Sequence, residues 1–174
     1  MTDATAASVH ASAVLVENRA VLIRGPSGAG KSHLAFDLIV AGRSGQIPPA
    51  VLVGDDRVHL EVSQGHLVVR PVRELAGLIE IRGLGIRRCE FAKEAIVGLV
   101  VDLCATDAER LPPPAALLAD IRGVRIPRIP VGADYVPLAL VVAALTTTGG
   151  LPTQPSDNCL KEIGNHISTN IATE

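Results

Sequence analysis

The stretch Gly25-Pro26-Ser27-Gly28-Ala29-Gly30-Lys31-Ser32 decides how this chain is read. It follows the β-branched run of residues 20–24 and opens a segment, 31–41, where Leu34, Leu38 and Ala41 recur at helical spacing. The pattern G-x-x-x-x-G-K-[ST] between a strand and a helix is the context in which a glycine-rich loop cradles phosphates. Gly25, Gly28 and Gly30 let backbone N–H groups converge on phosphate oxygens, with Pro26, Ser27 and Ala29 completing the loop, and the helix start adds its positive end. Lys31 would reach the β- and γ-phosphates, and the Ser32 hydroxyl would ligate Mg²⁺. ATP and Mg²⁺ are therefore the expected nucleotide and metal. The expected fold is α/β, with this P-loop at a strand-to-helix turn.

The rest of the composition narrows the class. A chain of 174 residues and 18.1 kDa is sized for one domain, so residues 1–174 are read as a single catalytic domain. Aromatic residues make up only 2%, namely Phe36, Phe91 and Tyr135, so the platforms that stack single-stranded nucleic acid are lacking. Phe36 falls on the first helix and is expected to face the core. With a net charge of −2 and a pI of 6.2, no global field draws the protein to nucleic acid or to an anionic membrane. Cys89, Cys104 and Cys159 are odd in number and form no C-x-x-C pair, which disfavours a disulfide framework or a zinc site. The first 16 residues include Asp3 and no Lys or Arg, unlike a signal peptide. The apolar run 138–145 falls well short of the roughly 20 residues that span a bilayer. A cytoplasmic protein with neither a nucleic-acid nor a membrane partner is expected.

Along the chain, residues 12–16 and 20–24 read as a hairpin turning at Glu17-Asn18-Arg19, and Gly42 reads as the stop of the first helix. Residues 51–53 form a short strand ending at Gly54-Asp55-Asp56, and 58–62 with 66–70 form a hairpin turning at Gln64-Gly65. Strands are expected over 78–81, 86–91 and 96–103, the last continuous in hydrophobicity and hence buried on both faces. Residues 125–129, bounded by Pro127 and Pro130, read as an edge strand. Helices are expected over 139–147 and 156–167. The sheet is expected to be mixed.

A phosphate cradle alone names no reaction. Asp102, after an apolar strand, and the pair Asp55-Asp56 compete for the carboxylate beside the metal; in the pair, one group could face the metal and the other an acceptor hydroxyl. Glu80 and Arg82 stand two apart in an apolar strand pattern and so share one face, with Gly83 and Gly85 after them free to adopt positive φ. A solvated strand face would explain Glu80 and Arg82 equally well.

At this point the residues resemble a family, the bacterial HPr kinase/phosphorylases, in their catalytic domain. The likeness rests on Ser8-Val9-His10, the loop 25–32, Val53-Gly54-Asp55-Asp56-Arg57-Val58 and, above all, Leu78-Ile79-Glu80-Ile81-Arg82-Gly83-Leu84-Gly85-Ile86. It implies a phosphoenolpyruvate carboxykinase-like nucleotide-binding fold, and phosphorylation of a serine of the phosphocarrier protein HPr by ATP and Mg²⁺. It also implies reversal by inorganic phosphate with release of pyrophosphate, and a homo-oligomer, a hexamer in the family. By the same resemblance, Asp56 matches the general base, which serves as acid in reverse. Ser32 and Glu80 match the Mg²⁺ ligands, Lys31 the phosphate-binding lysine, His10 an active-site histidine and Arg110 a catalytic arginine. Asp102 matches none of these and reverts to a structural reading. The chain resembles the short form of alphaproteobacterial members, without the family's N-terminal domain. His33 replaces the usual Glu, and Pro130-Val131-Gly132-Ala133-Asp134-Tyr135-Val136 lacks the two arginines of the family's corresponding stretch. A small-molecule P-loop kinase and a non-catalytic nucleotide-sensing module remain the alternative readings.

Overall fold

Three tight turns lay out much of the sheet, each led by a non-glycine residue at positive φ: Glu17, Gln64 and Arg122, with φ of 56°, 51° and 56°. In the computed structural model, which describes residues 7–148, they join consecutive strands into hairpins; the helix expected over 156–167 lies outside these residues. The elements in chain order are β1 (Val9–His10), β2 (Ser12–Val16), β3 (Arg19–Arg24), α1 (Lys31–Arg43), β4 (Ala50–Gly54), β5 (Arg57–Ser63) and β6 (His66–Pro71). There follow β7 (Leu78–Ile81), β8 (Gly85–Arg88), β9 (Ala95–Leu103), β10 (Leu118–Ile121), β11 (Val124–Val131) and α2 (Pro137–Thr146).

Nine strands form one mixed sheet with the order β1-β5-β6-β9-β3-β2-β4, and β11 joins β10 to β9; β7 and β8 form a separate hairpin. The expectation of a mixed α/β sheet is met. β3 and β9 pair in parallel, as do β9 and β11, while β2 runs antiparallel to both β3 and β4. β3, β4, β9 and β11 therefore all end at one edge of the sheet. In open α/β sheets, ligands bind outside such carboxyl ends.

Both faces of the sheet are covered. Val21 and Ile23 of β3 pack with Leu34, Leu38 and Ile39 of α1 and Val141 of α2, whereas Ala20 and Leu22 pack on the other side with Leu60, Leu67 and Val69. β9 shows why its sequence does not alternate. A register shift pairs Ala20 with Val97 but Val21 with Leu99, so Gly98 is a bulge that switches the faces to which later residues point. A Cβ at Gly98 would stand 2.8 Å from the Cβ of Arg19.

Four expectations need correction. Gly42 lies inside α1 rather than ending it: a Cβ there would stand 2.6 Å from the backbone nitrogen of Ala50, so the glycine permits close helix–strand approach. The helix ends at Arg43, and the C-cap Ser44 closes it, its N–H donating to the Val40 carbonyl and its hydroxyl to the Ala41 carbonyl. Phe36 is 38% exposed, on the outer face of α1. β8 stops at Arg88, and Phe91 joins β4 only through an isolated bridge to Leu52. The fourth concerns β11, which is not a simple edge strand: residues 124–127 pair with β10 and 128–131 with β9. Each half has one ladder, which leaves room for Pro127 and Pro130.

Candidate active site

The turn from β3 to α1 is the glycine-rich loop. Gly28 and Gly30 adopt φ of 79° and 95°, and a Cβ at either would meet nothing within 4 Å, so the backbone at both positions borders open space. α1 begins directly behind it, with Gly30 as N-cap and no side-chain cap. The first amide groups of a helix have no intrahelical partner, and they suit an anion. Lys31 is buried, and its Nζ donates to the carbonyls of Gly25 and Pro26, each at 3.0 Å. Ser32 follows in the first helical turn. The donor set fits a polyphosphate with a hard cation.

β4 brings its end to the same edge. The Arg57 N–H donates to the Asp55 carbonyl at 2.8 Å, closing a three-residue turn about Asp56, whose φ is 65°. Positive φ in such a turn is strained, and Asp is among the few residues that tolerate it. The two aspartates face different surroundings. Asp55 is only 3% exposed; its Oδ1 accepts from the Ser12 hydroxyl at 2.5 Å and its Oδ2 from the Glu80 N–H at 3.1 Å. Both its oxygens are thus engaged inside the protein, which departs from the expectation that both carboxylates face the reaction. The Asp56 side chain is 65% exposed, with His10 Nε2 3.4 Å from its Oδ1. That contact arises because β1 pairs with β5, setting His10 opposite Arg57.

Glu80 stands exposed on β7, opposite Ile86 of β8. Arg82 does not share the strand: β7 ends at Ile81, and Arg82-Gly83-Leu84 form the hairpin turn, where Gly83 has φ 85° and the Leu84 N–H donates to the Ile81 carbonyl. Ile79 anchors the hairpin in the α1-side core. Arg110 is exposed in the segment after β9 and makes no hydrogen bond or ion pair among the described residues. His33 pairs with Asp37 on α1 at 3.4 Å.

Asp102 is structural. Arg24 Nε and Nη2 each lie 2.7 Å from its two oxygens, and Arg128 Nε lies 2.5 Å from Oδ2. Burial pushes its carboxyl pKa up, but the two guanidinium groups outweigh this and hold it below the usual carboxylate range. Arg128 also grips Asp107, and its own pKa is raised chiefly by that bond and, against the cost of burial, by Asp102. Sequence reasoning missed Arg24, Arg128 and Ser12. Ser12 had a signal: it shares the α1-side face of β2 with Val14 and Val16, where a polar residue must have a buried partner.

A cavity of about 490 Å³ opens at the opposite edge of the sheet among Arg19, His66, Gly98 and Arg125, and includes none of these site residues.

The model of the HPr Serine kinase C-terminal domain matches residues 2–131. This chain belongs to that family. Among HPr kinase/phosphorylases, that of Mycoplasma mycoides is 39% identical over 80 residues, covering 46% of this chain and 23% of the relative. That of Clostridium beijerinckii is 38% identical over 78 residues, covering 45% and 24%. The chain thus spans about a quarter of the length of these curated relatives. The structure of the Hpr(Ser) kinase/phosphatase from Coxiella burnetii superposes with a TM-score of 0.62 at 26% identity, covering 77% of this chain and 91% of that one. The mixed α/β architecture is thus similar to that of the Coxiella protein, and the strings around the glycine-rich loop, Asp55-Asp56 and Glu80 all lie within the span that the family matches.

Proposed function

We propose that this domain transfers the γ-phosphoryl group of ATP to a serine hydroxyl of HPr. The observation that carries the reading is the single edge of the sheet at which the loop 25–30 and the Asp55-Asp56 turn emerge, with the Glu80 amide bonded to Asp55. The loop amides and Lys31 bind and orient the β- and γ-phosphates, Lys31 exchanging its loop carbonyls for phosphate oxygens. Ser32 and Glu80 would hold Mg²⁺, which supplies charge neutralisation across the phosphates. Asp56, exposed and at the mouth of the site, accepts the proton of the serine hydroxyl as its oxygen attacks phosphorus in line with the departing ADP. His10 stands beside Asp56 and orients that carboxylate. Arg110 supplies positive charge to the transferring group. In reverse, Asp56 returns the proton to the serine as inorganic phosphate takes up the phosphoryl group, giving pyrophosphate.

Incubation with labelled ATP, Mg²⁺ and HPr from the same organism tests this reading. Acid-stable phosphoserine on HPr is expected, lost with Lys31→Ala and reduced about 100-fold or more with Asp56→Asn. Label on a metabolite instead, or nucleotide binding without transfer, overturns the proposal, as does near-native turnover by Asp56→Asn.

A further inference from the structure

Ser12 and Asp55 form a buried chain of hydrogen bonds that ends on the backbone of Glu80. Ser12 is fully buried and Asp55 is 3% exposed, so each carboxylate oxygen depends on a protein donor: the Ser12 hydroxyl at 2.5 Å for Oδ1 and the Glu80 N–H at 3.1 Å for Oδ2. A bulge arranges the meeting. β2 and β4 pair Val14 with Leu52 but Ala13 with Gly54, so Asp55 comes up beside Ser12 instead of Ala11. β7 has no ladder to the main sheet, and the Asp55 bond is the polar tie between its Glu80 and the end of β4.

We infer that Ser12 and Asp55 are positioning residues: acting through the Glu80 main chain, they hold Glu80 at a fixed place relative to Asp56. The inference rests on the reading of Asp56 and Glu80 as site residues. The physical reason is the cost of the alternatives. A carboxyl group this deeply buried cannot lose a donor without the desolvation penalty of an unsatisfied polar group, so the Ser12 hydroxyl fixes the rotamer of Asp55. Asp55 and Asp56 are adjacent in the chain and their turn is closed by the Arg57 N–H, so a shift of Asp55 moves both Asp56 and the anchor of Glu80. Neither Ser12 nor Asp55 need touch substrate to affect turnover.

Amide hydrogen exchange and kinetics on the full chain separate this role from a merely structural one. In Ser12→Ala, protection of the Glu80 amide is expected to fall about tenfold or more, while the Leu34 and Val101 amides keep theirs; Asp55→Asn, which retains shape, should do the same. Ser12→Thr, which restores the hydroxyl, should rescue protection. In turnover, Ser12→Ala should lower kcat and raise the Mg²⁺ concentration needed for half-maximal rate, with the KM for HPr unchanged. Unchanged Glu80 protection in both Ser12→Ala and Asp55→Asn overturns the inference, and so does a uniform loss of protection across the core. If the wild-type chain transfers no phosphate to HPr, the functional reading fails, yet the exchange experiment still decides whether Ser12 and Asp55 hold Glu80.

Discussion

His10 Nε2 lies 3.4 Å from Asp56 Oδ1, although His10 ends β1 and Asp56 sits in the turn between β4 and β5, and both side chains are substantially exposed. An exposed pair of this kind adds little to stability. In the proposed mechanism its value lies in aiming a carboxylate held on a strained turn. His10→Ala should therefore leave the thermal unfolding midpoint nearly unchanged while lowering kcat for HPr phosphorylation by roughly tenfold, less than a group that itself transfers the proton contributes. A matched loss of stability and activity would argue instead that β1 is simply undocked from β5.

The Asp102 cluster makes a pH-dependent contribution. The folded-state pKa of Asp102 lies below its ordinary value because Arg24 and Arg128 prevail over burial, and that of Asp107 is lowered first by its bond to Arg128. A depressed carboxylate stabilises the fold fully above the unfolded pKa near 4, and this stabilisation is lost as pH falls through the lower folded value. Urea unfolding from pH 7 to pH 3 should show a falling acid limb that is shallower in Asp102→Asn. At pH 7 that variant should lose about 2 to 3 kcal/mol, since two guanidinium groups give up a charged acceptor.

Alanine at an exposed helical glycine usually stabilises by about 1 kcal/mol. At Gly42 the sign should reverse. The new Cβ would stand 2.6 Å from the Ala50 nitrogen and 2.8 Å from its Cβ, with backbone rather than a flexible side chain in the way. Gly42→Ala is expected to lose about 1 to 3 kcal/mol by urea unfolding, as overpacked sites do.

The segment from Pro130 to Val136 contains no arginine. If those positions help to bind the incoming phosphate, phosphorolysis of phosphoserine-HPr should run at least about 100-fold below the forward rate at saturating substrates, a deficit of order 3 kcal/mol in the barrier. Comparable forward and reverse rates would show that the missing guanidinium groups are supplied from elsewhere, and Arg110→Ala would then be the variant to measure.

Local turns were more legible in the sequence than the long-range pairing of the sheet. The loop 25–32 was legible because each of its residues answers a local demand for positive φ, free amides or a cation, and local demands are written in neighbouring residues. Turns at Glu17 and Gln64 were legible for the same reason. Gly42 was misread because its partner, Ala50, is close in space through a loop, and nothing in the helix itself distinguishes a stop from a close approach. Asp55 and Asp56 could not be told apart from the string that holds them; only the β4 bulge and the Ser12 hydroxyl decide which is buried. The partner change along β11 depends on a parallel ladder to β9, a relation that no window of residues 124–131 contains.

The bulged strand β9 also governs when the domain can form during synthesis. It is the central partner of β3, yet Arg24 and Asp102, which meet across them, are 78 positions apart. Until residues 95–103 leave the ribosome, β3 has one open edge and the loop 25–30 has no fixed floor. Long-range parallel pairing of this kind slows folding and leaves hydrophobic edges exposed meanwhile. A nascent chain stalled at Glu94 should thus be cut readily by protease around Val21 and Leu22, while one extended past Val131 should resist. The glycine-rich loop, although encoded within eight residues near the start of the chain, would be among the last parts of the domain to be fixed in place.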